Sequence, residues 1–273
     1  MCTAASVPCM AEPRVVAVTG GARGIGLATA RALVADGARV AIGDLDSAAV
    51  RGAAAYPLDV TSPVSFAQFL TDVERDLGPL DVVVNNAGVL AAGPVADQPD
   101  HVTRRIIEVN LLGVITGTRL ALRAMLPRGS GHIVNVASLS GETYAGGEAT
   151  YCASKYGVVG FTDATRFELS GSGVQFTLVM PALVDTRLTA GAGRMRFVNR
   201  RASPDDVAAA IVRVLHHPRR RVYVPTSMGI AVRARRFVPA QLSDAVAGLL
   251  GARSMFLDVE PGVRDDYERG LRG

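Results

Sequence analysis

Lys155 is the only lysine among 29 lysine and arginine residues, and it stands four positions after Tyr151 in the run Tyr151-Cys152-Ala153-Ser154-Lys155. On a helix, residues i and i+4 share a face, so phenol and ammonium would point together. A free phenol titrates near about 10, and working as a base near neutrality requires a fall of roughly 3 units, about 4 kcal/mol. A buried ammonium is one source of such a field. Arginine spreads its charge over a wide fork and does not substitute for a compact ammonium. The bland alternative, a solvated surface pair, would be worth only about 0.2–0.5 kcal/mol. Ser138 precedes Tyr151 and ends an apolar run. Its hydroxyl either caps a strand end or orients a substrate oxygen.

A second set of residues suits phosphate chemistry. The apolar run Val15-Val16-Ala17-Val18 leads into Thr19-Gly20-Gly21-Ala22-Arg23-Gly24-Ile25-Gly26, and a helical pattern follows. Glycines between a first strand and a first helix permit a tight turn and let backbone N–H groups approach a pyrophosphate. Asp44 ends the next apolar run, beside Leu45 and Asp46. There a carboxylate would accept from adenosine ribose hydroxyls and repel a 2′-phosphate, which favours NAD over NADP. Arg23 points the other way, since an arginine in this loop can bind that phosphate. The placed carboxylate is set ahead of the single arginine.

The elements that must position these residues read as alternating strands and helices. Strands are expected at 15–18, 39–44, 56–60, 81–85, 132–137, 174–180 and 222–224. Helices are expected at 24–36, 63–77, 100–126, 149–170 and 204–216, with Ser62 and Ser203 as N-caps. Strand runs that are apolar throughout mark a sheet covered on both faces. Alternation with helices implies right-handed crossovers. The expected fold is an α/β, Rossmann-type doubly wound parallel sheet of about seven strands with helices on both faces. It forms one dinucleotide-binding and catalytic domain over 14–225, after a loose 1–13 and before a C-terminal extension, 226–273, packed on the domain or a neighbouring subunit.

Composition narrows the classes further. With 49% apolar and 20% charged residues in 273, the chain is globular. A net charge of +4 with no aromatic-interleaved basic motif argues against nucleic acid. Three cysteines, Cys2, Cys9 and Cys152, make no disulfide framework and suit a reducing cytoplasm. Residues 1–12 lack a secretory signal pattern, and Met10 is an alternative start. His101, His132, His216 and His217 have no ligand-like spacing, so no metal is expected. The segment 187–201 is Gly-rich and basic, as a lid or a plain surface loop would be. The window 219–236 carries six arginines and no acid, and an apolar pattern follows at Leu242, Val246, Leu249 and Leu250. That combination could touch an anionic membrane. Packing over the cleft or a neighbouring subunit is preferred, because the apolar stretch is short and contains Gly248 and Gly251.

Taken together, these residues resemble the short-chain dehydrogenase/reductase family in its non-extended branch, over roughly residues 14–225. The glycine pattern stands at 19–26, Asp59-Val60 matches the adenine-contacting pair, and Asn85-Asn86-Ala87-Gly88 matches the N-N-A-G motif. Asn110 matches the mid-helix asparagine, and Ser138, Tyr151 and Lys155 match the catalytic trio. The resemblance implies that Tyr151 is the general acid/base, that Lys155 holds the nicotinamide ribose and lowers the phenol pKa, and that Ser138 holds the substrate oxygen. It also implies that Asn110 kinks its helix and supports a water chain. Gly20, Arg23, Gly24, Ile25, Gly26, Asp44, Leu45, Asp59 and Val60 would face the cofactor. So would Asn86, Ala87 and Gly88 at its ribose, and Pro181, Val184 and Thr186 at its carboxamide and phosphates. One departure is Pro181-Ala182, where the family usually has Pro-Gly. A homodimer or homotetramer is implied through the two long helices. The expected reaction is NAD-dependent hydride transfer with an alcohol or ketone, apolar in view of the uncharged neighbours Leu139, Tyr144, Ala145 and Gly146, although Glu142 and Glu148 are nearby. The alternatives are an NADP-dependent ketoacyl-type carbonyl reductase and a non-catalytic dinucleotide-binding sensor.

Overall fold

A computed structural model of the chain describes residues 14–46, 51–193, 201–235, 237–257, 259, 262, 264 and 267. Cys2, Cys9, Met10 and residues 194–200 of the Gly-rich segment lie outside the described residues. Seven parallel strands form one sheet: β1 (Val15–Thr19), β2 (Arg39–Asp44), β3 (Ala53–Pro57), β4 (Val82–Asn85), β5 (Gly131–Val136), β6 (Val174–Pro181) and β7 (Arg221–Val224). Their order is β3-β2-β1-β4-β5-β6-β7. The order therefore reverses between β1 and β4, which opens a crevice beyond the carboxyl ends of those strands.

Alternate residues of each strand feed two different cores, as the twofold repeat of an extended chain requires. Val16 and Val18 of β1 join Val40, Ile42, Val84 and Val134 on one face, under Leu33 of α1 (Gly24–Ala35) and Ile211 of α6 (Pro204–His216). Val15 and Ala17 join Val83 and Ile133 on the other, under Phe66 and Phe69 of α2 (Pro63–Leu77) and Met125 of α4 (Gly113–Met125). Helices α3 (Asp100–Ile107) and α5 (Ala149–Glu168) complete the second layer. Ser62 caps α2 by accepting from Ser65 N at 3.2 Å, and Ser203 caps α6 by accepting from Asp206 N at 3.1 Å.

Three elements differ from the sequence reading. Strand β3 lies at Ala53–Pro57, three residues earlier than expected, in register with Val40–Asp44. An edge strand with one neighbour tolerates alanines in place of β-branched residues. Asp59 then folds back, its carboxylate accepting from Thr61 N and Thr61 Oγ1 at 2.9 and 2.7 Å, and leads into α2. The expected helix 100–126 is interrupted by a π turn at Glu108–Leu112, between α3 and α4. The helical run Asp100–Arg128 is long and apolar enough to cross a membrane by composition alone, but half of its apolar window is buried inside the protein, as in a core helix. The C-terminal region holds α7 (Thr226–Arg235) before α8 (Ala240–Leu249), and α7 has no apolar period that would have announced it.

Helix α4 meets β4 at Gly117, where an added Cβ would stand 2.3 Å from Asn85 Oδ1 and 2.5 Å from Phe66 Cζ. Gly117→Ala is therefore expected to destabilise the fold by about 1–3 kcal/mol through overpacking. Urea unfolding would show a lowered midpoint, and an unchanged or raised midpoint would contradict this close approach.

Candidate active site

The glycine loop is held from three sides. Gly20 takes a left-handed φ of +66° and donates its N–H to Gly43 O at 2.7 Å. A Cβ on Gly26 would lie 2.0 Å from Gly20 O, so only glycine allows this path. The Asn86 side chain donates to Thr19 O and Gly20 O at 2.9 and 3.1 Å, while Thr19 Oγ1 accepts from Asn86 N and Ala87 N at 3.0 and 3.1 Å. Asn86 thus ties the loop to the end of β4, and its carboxamide is spent on that task. No side chain caps the start of α1, so its first-turn N–H groups are left to accept an anion.

Asp44 is buried at the end of β2 and accepts from Ala22 N at 3.0 Å and Asp46 N at 3.3 Å. Its carboxylate both braces the loop and lines the cavity. Arg23 is largely exposed and lies 4.0 Å from Asp46, an acid that competes for its charge. Leu45, Asp59 and Val60 form the neighbouring wall, with Arg105 of α3 beside them. Arg105 carried no motif signal; only its turn of α3, opposite the Asp59–Thr61 bend, brings it to the site.

The catalytic candidates converge further along the same cavity. Tyr151 and Lys155 lie on the first two turns of α5, both buried, with Nζ 5.6 Å from the phenol ring centroid. Lys155 Nζ donates to Val136 O at 3.0 Å, the last residue of β5, and burial pushes the ammonium down to about 8. Burial, with the charge of Glu148, holds the Tyr151 phenol above its ordinary range, and the Ser138 hydroxyl acts in the opposite sense. The direction is opposite to the one expected from the Tyr–Lys spacing, because a low-polarity surrounding disfavours both charged forms. Ser138 itself caps the short 3-10 turn Leu139–Gly141, accepting from Ser140 N at 3.1 Å.

Asn110 sits in the π turn with no exposed surface. Its Oδ1 accepts from Val89 N at 2.8 Å, and its Nδ2 donates to Val89 O at 2.8 Å and Ser154 Oγ at 3.0 Å. Gly88 stands between Asn110 and Lys155: a Cβ there would lie 3.5 Å from Asn110 Oδ1 and 3.7 Å from Lys155 Nζ. Pro181, Val184 and Thr186 line the cavity beyond β6.

The cavity, about 1380 Å³, runs from the glycine loop past Tyr151 to an apolar end. That end is walled by Leu139, Ala145, Leu183 and Leu188, and by Met228, Val232, Val246, Leu250, Met255 and Phe256 of the C-terminal region. Tyr267 accepts from Leu90 N at 2.9 Å, and buried Arg264 donates to Leu90 O, Leu188 O and Ala190 O at 2.7–3.1 Å. The sequence carried no sign of this clasp. Three arginines of the basic window have partners within the chain. Arg221 pairs with Glu142 and Asp163, Arg220 pairs with Asp163, and Arg235 stacks on Tyr144 at 4.2 Å.

A model of the family described as short chain dehydrogenase matches residues 14–196. The chain is 38% identical over 190 residues to "Probable oxidoreductase EphD" of Mycobacterium tuberculosis, covering 65% of this chain and 32% of the relative. It therefore spans about a third of that protein's length. It is 39% identical over 184 residues to the "3-alpha-(or 20-beta)-hydroxysteroid dehydrogenase" of M. tuberculosis, 64% of this chain and 71% of the relative. To the 3-oxoacyl-acyl-carrier-protein reductase MabA of the same organism it is 34% identical over 206 residues, 72% of this chain and 83% of the relative.

Removing the Asn110 carboxamide leaves a buried N–H, a carbonyl and a hydroxyl without their partner. Asn110→Ala should lower the unfolding free energy by about 2–4 kcal/mol, with Asn110→Asp in between because it keeps the acceptor. Urea denaturation measures this, and a loss below about 0.5 kcal/mol, the range of ordinary surface changes, would refute it.

Proposed function

The chain belongs to the short-chain dehydrogenase/reductase family, and from that premise we propose that it is an NAD-dependent oxidoreductase acting on an apolar alcohol or ketone. The observation that carries the reading is the convergence of Ser138, Tyr151 and Lys155 on one cavity that continues from the glycine loop into an apolar chamber. The cradle suits a dinucleotide: Gly20 and Gly24 line the cavity, and the start of α1 beside them has no side-chain cap, so its backbone N–H groups are available to a pyrophosphate. In this reading Gly20, Arg23, Gly24, Ile25 and Gly26 take the phosphates. Asp44 and Leu45 take the adenosine ribose, and Asp59 and Val60 the adenine. Gly88, Lys155, Pro181, Val184 and Thr186 hold the nicotinamide half. The bound nicotinamide supplies the acceptor or donor of hydride.

The chain's own residues would manage the proton. Ser138 holds the substrate oxygen, and Tyr151 takes the hydroxyl proton in oxidation or returns it in reduction. Because burial holds the phenol pKa up, lowering it for oxidation calls on the positive ring of the oxidised cofactor as well as on Lys155. Asn110 keeps Val89 and Ser154 in place, and Ser154 Oγ in turn donates to Tyr151 O at 2.7 Å. The names of two relatives, a hydroxysteroid dehydrogenase and a 3-oxoacyl reductase, agree with an apolar substrate. A cytoplasmic homo-oligomer completes the proposal.

A screen of apolar secondary alcohols with NAD⁺ and NADP⁺, followed by absorbance of the reduced cofactor, tests the activity. Tyr151→Phe should abolish turnover and leave NAD binding nearly intact, since it removes the proton-transferring group and little else. Retention of more than a few per cent of kcat would sink the assignment.

Asp44→Ala should weaken NAD and relax discrimination against NADP. It removes an acceptor for ribose hydroxyls and a charge that repels a 2′-phosphate. Ratios of kcat/KM for the two cofactors measure this, and a wild-type preference for NADPH would assign control to Arg23 instead.

A further inference from the structure

Glu148 has no part in the machinery above, yet it is a buried acid in the wall of the same cavity. It immediately precedes α5, one helical turn before Tyr151. Its Oε1 accepts from Ser140 Oγ at 2.9 Å and from Cys152 Sγ at 3.4 Å. The Ala145 backbone N–H also donates to it. Among the described residues no cation pairs with it. The groups that face this corner are Tyr151 and Cys152 on α5, Ser140 and Ser138 on the turn after β5, and Tyr267 from the C-terminal segment with Arg264 stacked on its ring at 5.0 Å. Lys155 is one turn further on, and Glu142 is turned away into its pair with Arg221.

We propose that Glu148 is a positioning residue for the proton: its ionised carboxylate holds the proton on Tyr151, and so biases proton transfer toward carbonyl reduction at neutral pH and above. The inference rests on Tyr151 being the acid/base of the reaction proposed above. A buried carboxylate at the N-cap of the helix whose first turn carries Tyr151, in the wall of the same cavity, disfavours the phenolate and leaves the neutral phenol untouched. Burial raises the Glu148 carboxyl to about 7, with Ser140 pulling it back down. The carboxyl therefore changes charge near neutrality, and that charge bears on the pH at which the phenol gives up its proton. Below that midpoint Glu148 is neutral and its hold on the phenol is released. Above it the phenol keeps its proton to a higher pH. The equilibrium constant of the overall reaction is unaffected. What changes is the pH at which each direction runs.

The test is the pH profile of kcat/KM for a hydroxysteroid with NAD⁺ and for the matching ketosteroid with NADH. In Glu148→Gln the oxidation limb should move to lower pH by at least about half a unit, roughly threefold in rate at a fixed pH on that limb. The fall-off of reduction should move the same way. Glu148→Asp, which keeps the charge, should retain the wild-type profile. Ser140→Ala removes a donor to the carboxylate and raises its pKa, so the infrared band of the carboxyl should persist to higher pH than in the wild type. A fully active Glu148→Gln with a superimposable profile overturns the inference while leaving the Tyr151 assignment standing. An active Tyr151→Phe overturns the assignment itself. Independently of substrate, infrared spectra of the wild type should show a carboxyl C=O band that disappears on raising the pH through neutrality and is absent from Glu148→Gln. No such titrating band would also overturn the inference.

Discussion

Asn110 is the joint on which the site's geometry depends. One carboxamide satisfies both backbone groups of Val89 and the hydroxyl of Ser154. It thereby couples the loop after β4, the π turn between α3 and α4, and the helix that carries Tyr151 and Lys155. A regular α-helix would carry this side chain past the Val89 backbone at a different angle. The π turn swings it into place, and such bulges mark functional positions for that reason. The helix loses regular hydrogen bonding over one turn, while the loop gains two bonds and α5 one, in an environment where unpaired polar groups are costly.

The same economy of polar groups governs the electrostatics. Lys155 is buried, and among the described residues its one hydrogen-bond partner is the final carbonyl of β5. Such an ammonium is destabilised, which is why burial moves it toward neutrality. A further ligand oxygen would be favourable there, since it adds acceptors to an under-supplied cation. The phenol beside it is pushed up for the same physical reason. Neither group is tuned by the other alone. Both are left in a low-polarity slot where each added charge or hydrogen bond weighs heavily.

The sheet was legible because buried parallel strands must be apolar on both faces. Val15–Val18 and Val82–Val84 are wholly apolar, and Val174–Met180 is so apart from Gln175 and Thr177. The N-caps were legible because Ser62 and Ser203 each precede a proline, and proline belongs in a first helical turn. Strand β3 was misplaced because Ala53, Ala54 and Ala55 have no β signature and are strand only through pairing with β2. Helix α7 was missed because its apolar residues follow no helical period. At the site, Tyr151, Lys155, Ser138 and the glycines stood out through residue type and spacing. Glu148, Arg105, Arg264 and Tyr267 did not. Each reaches the cavity through a turn or a distant segment, and a single sequence has no local pattern for such contacts.

The two ends of the cavity come from different parts of the chain, and this separation has a physical consequence. The glycine loop, Asp44 and the residues after β4 are rigidly braced to strands, so the polar end is set by the sheet. The apolar end is assembled from Leu188, Met228, Val246, Met255 and Phe256, on short helices and turns beyond β6. These are held by a few backbone contacts, among them Gly146 N to Ala252 O at 2.9 Å and Phe256 N to Gly146 O at 3.1 Å, and by the Arg264 clasp. Non-directional apolar contact can be rebuilt with other side chains of similar volume, whereas the loop and the buried lysine cannot. The apolar chamber can therefore diverge without disturbing Ser138, Tyr151 and Lys155, because these take their positions from β5, the π turn and α5, and not from the chamber's wall.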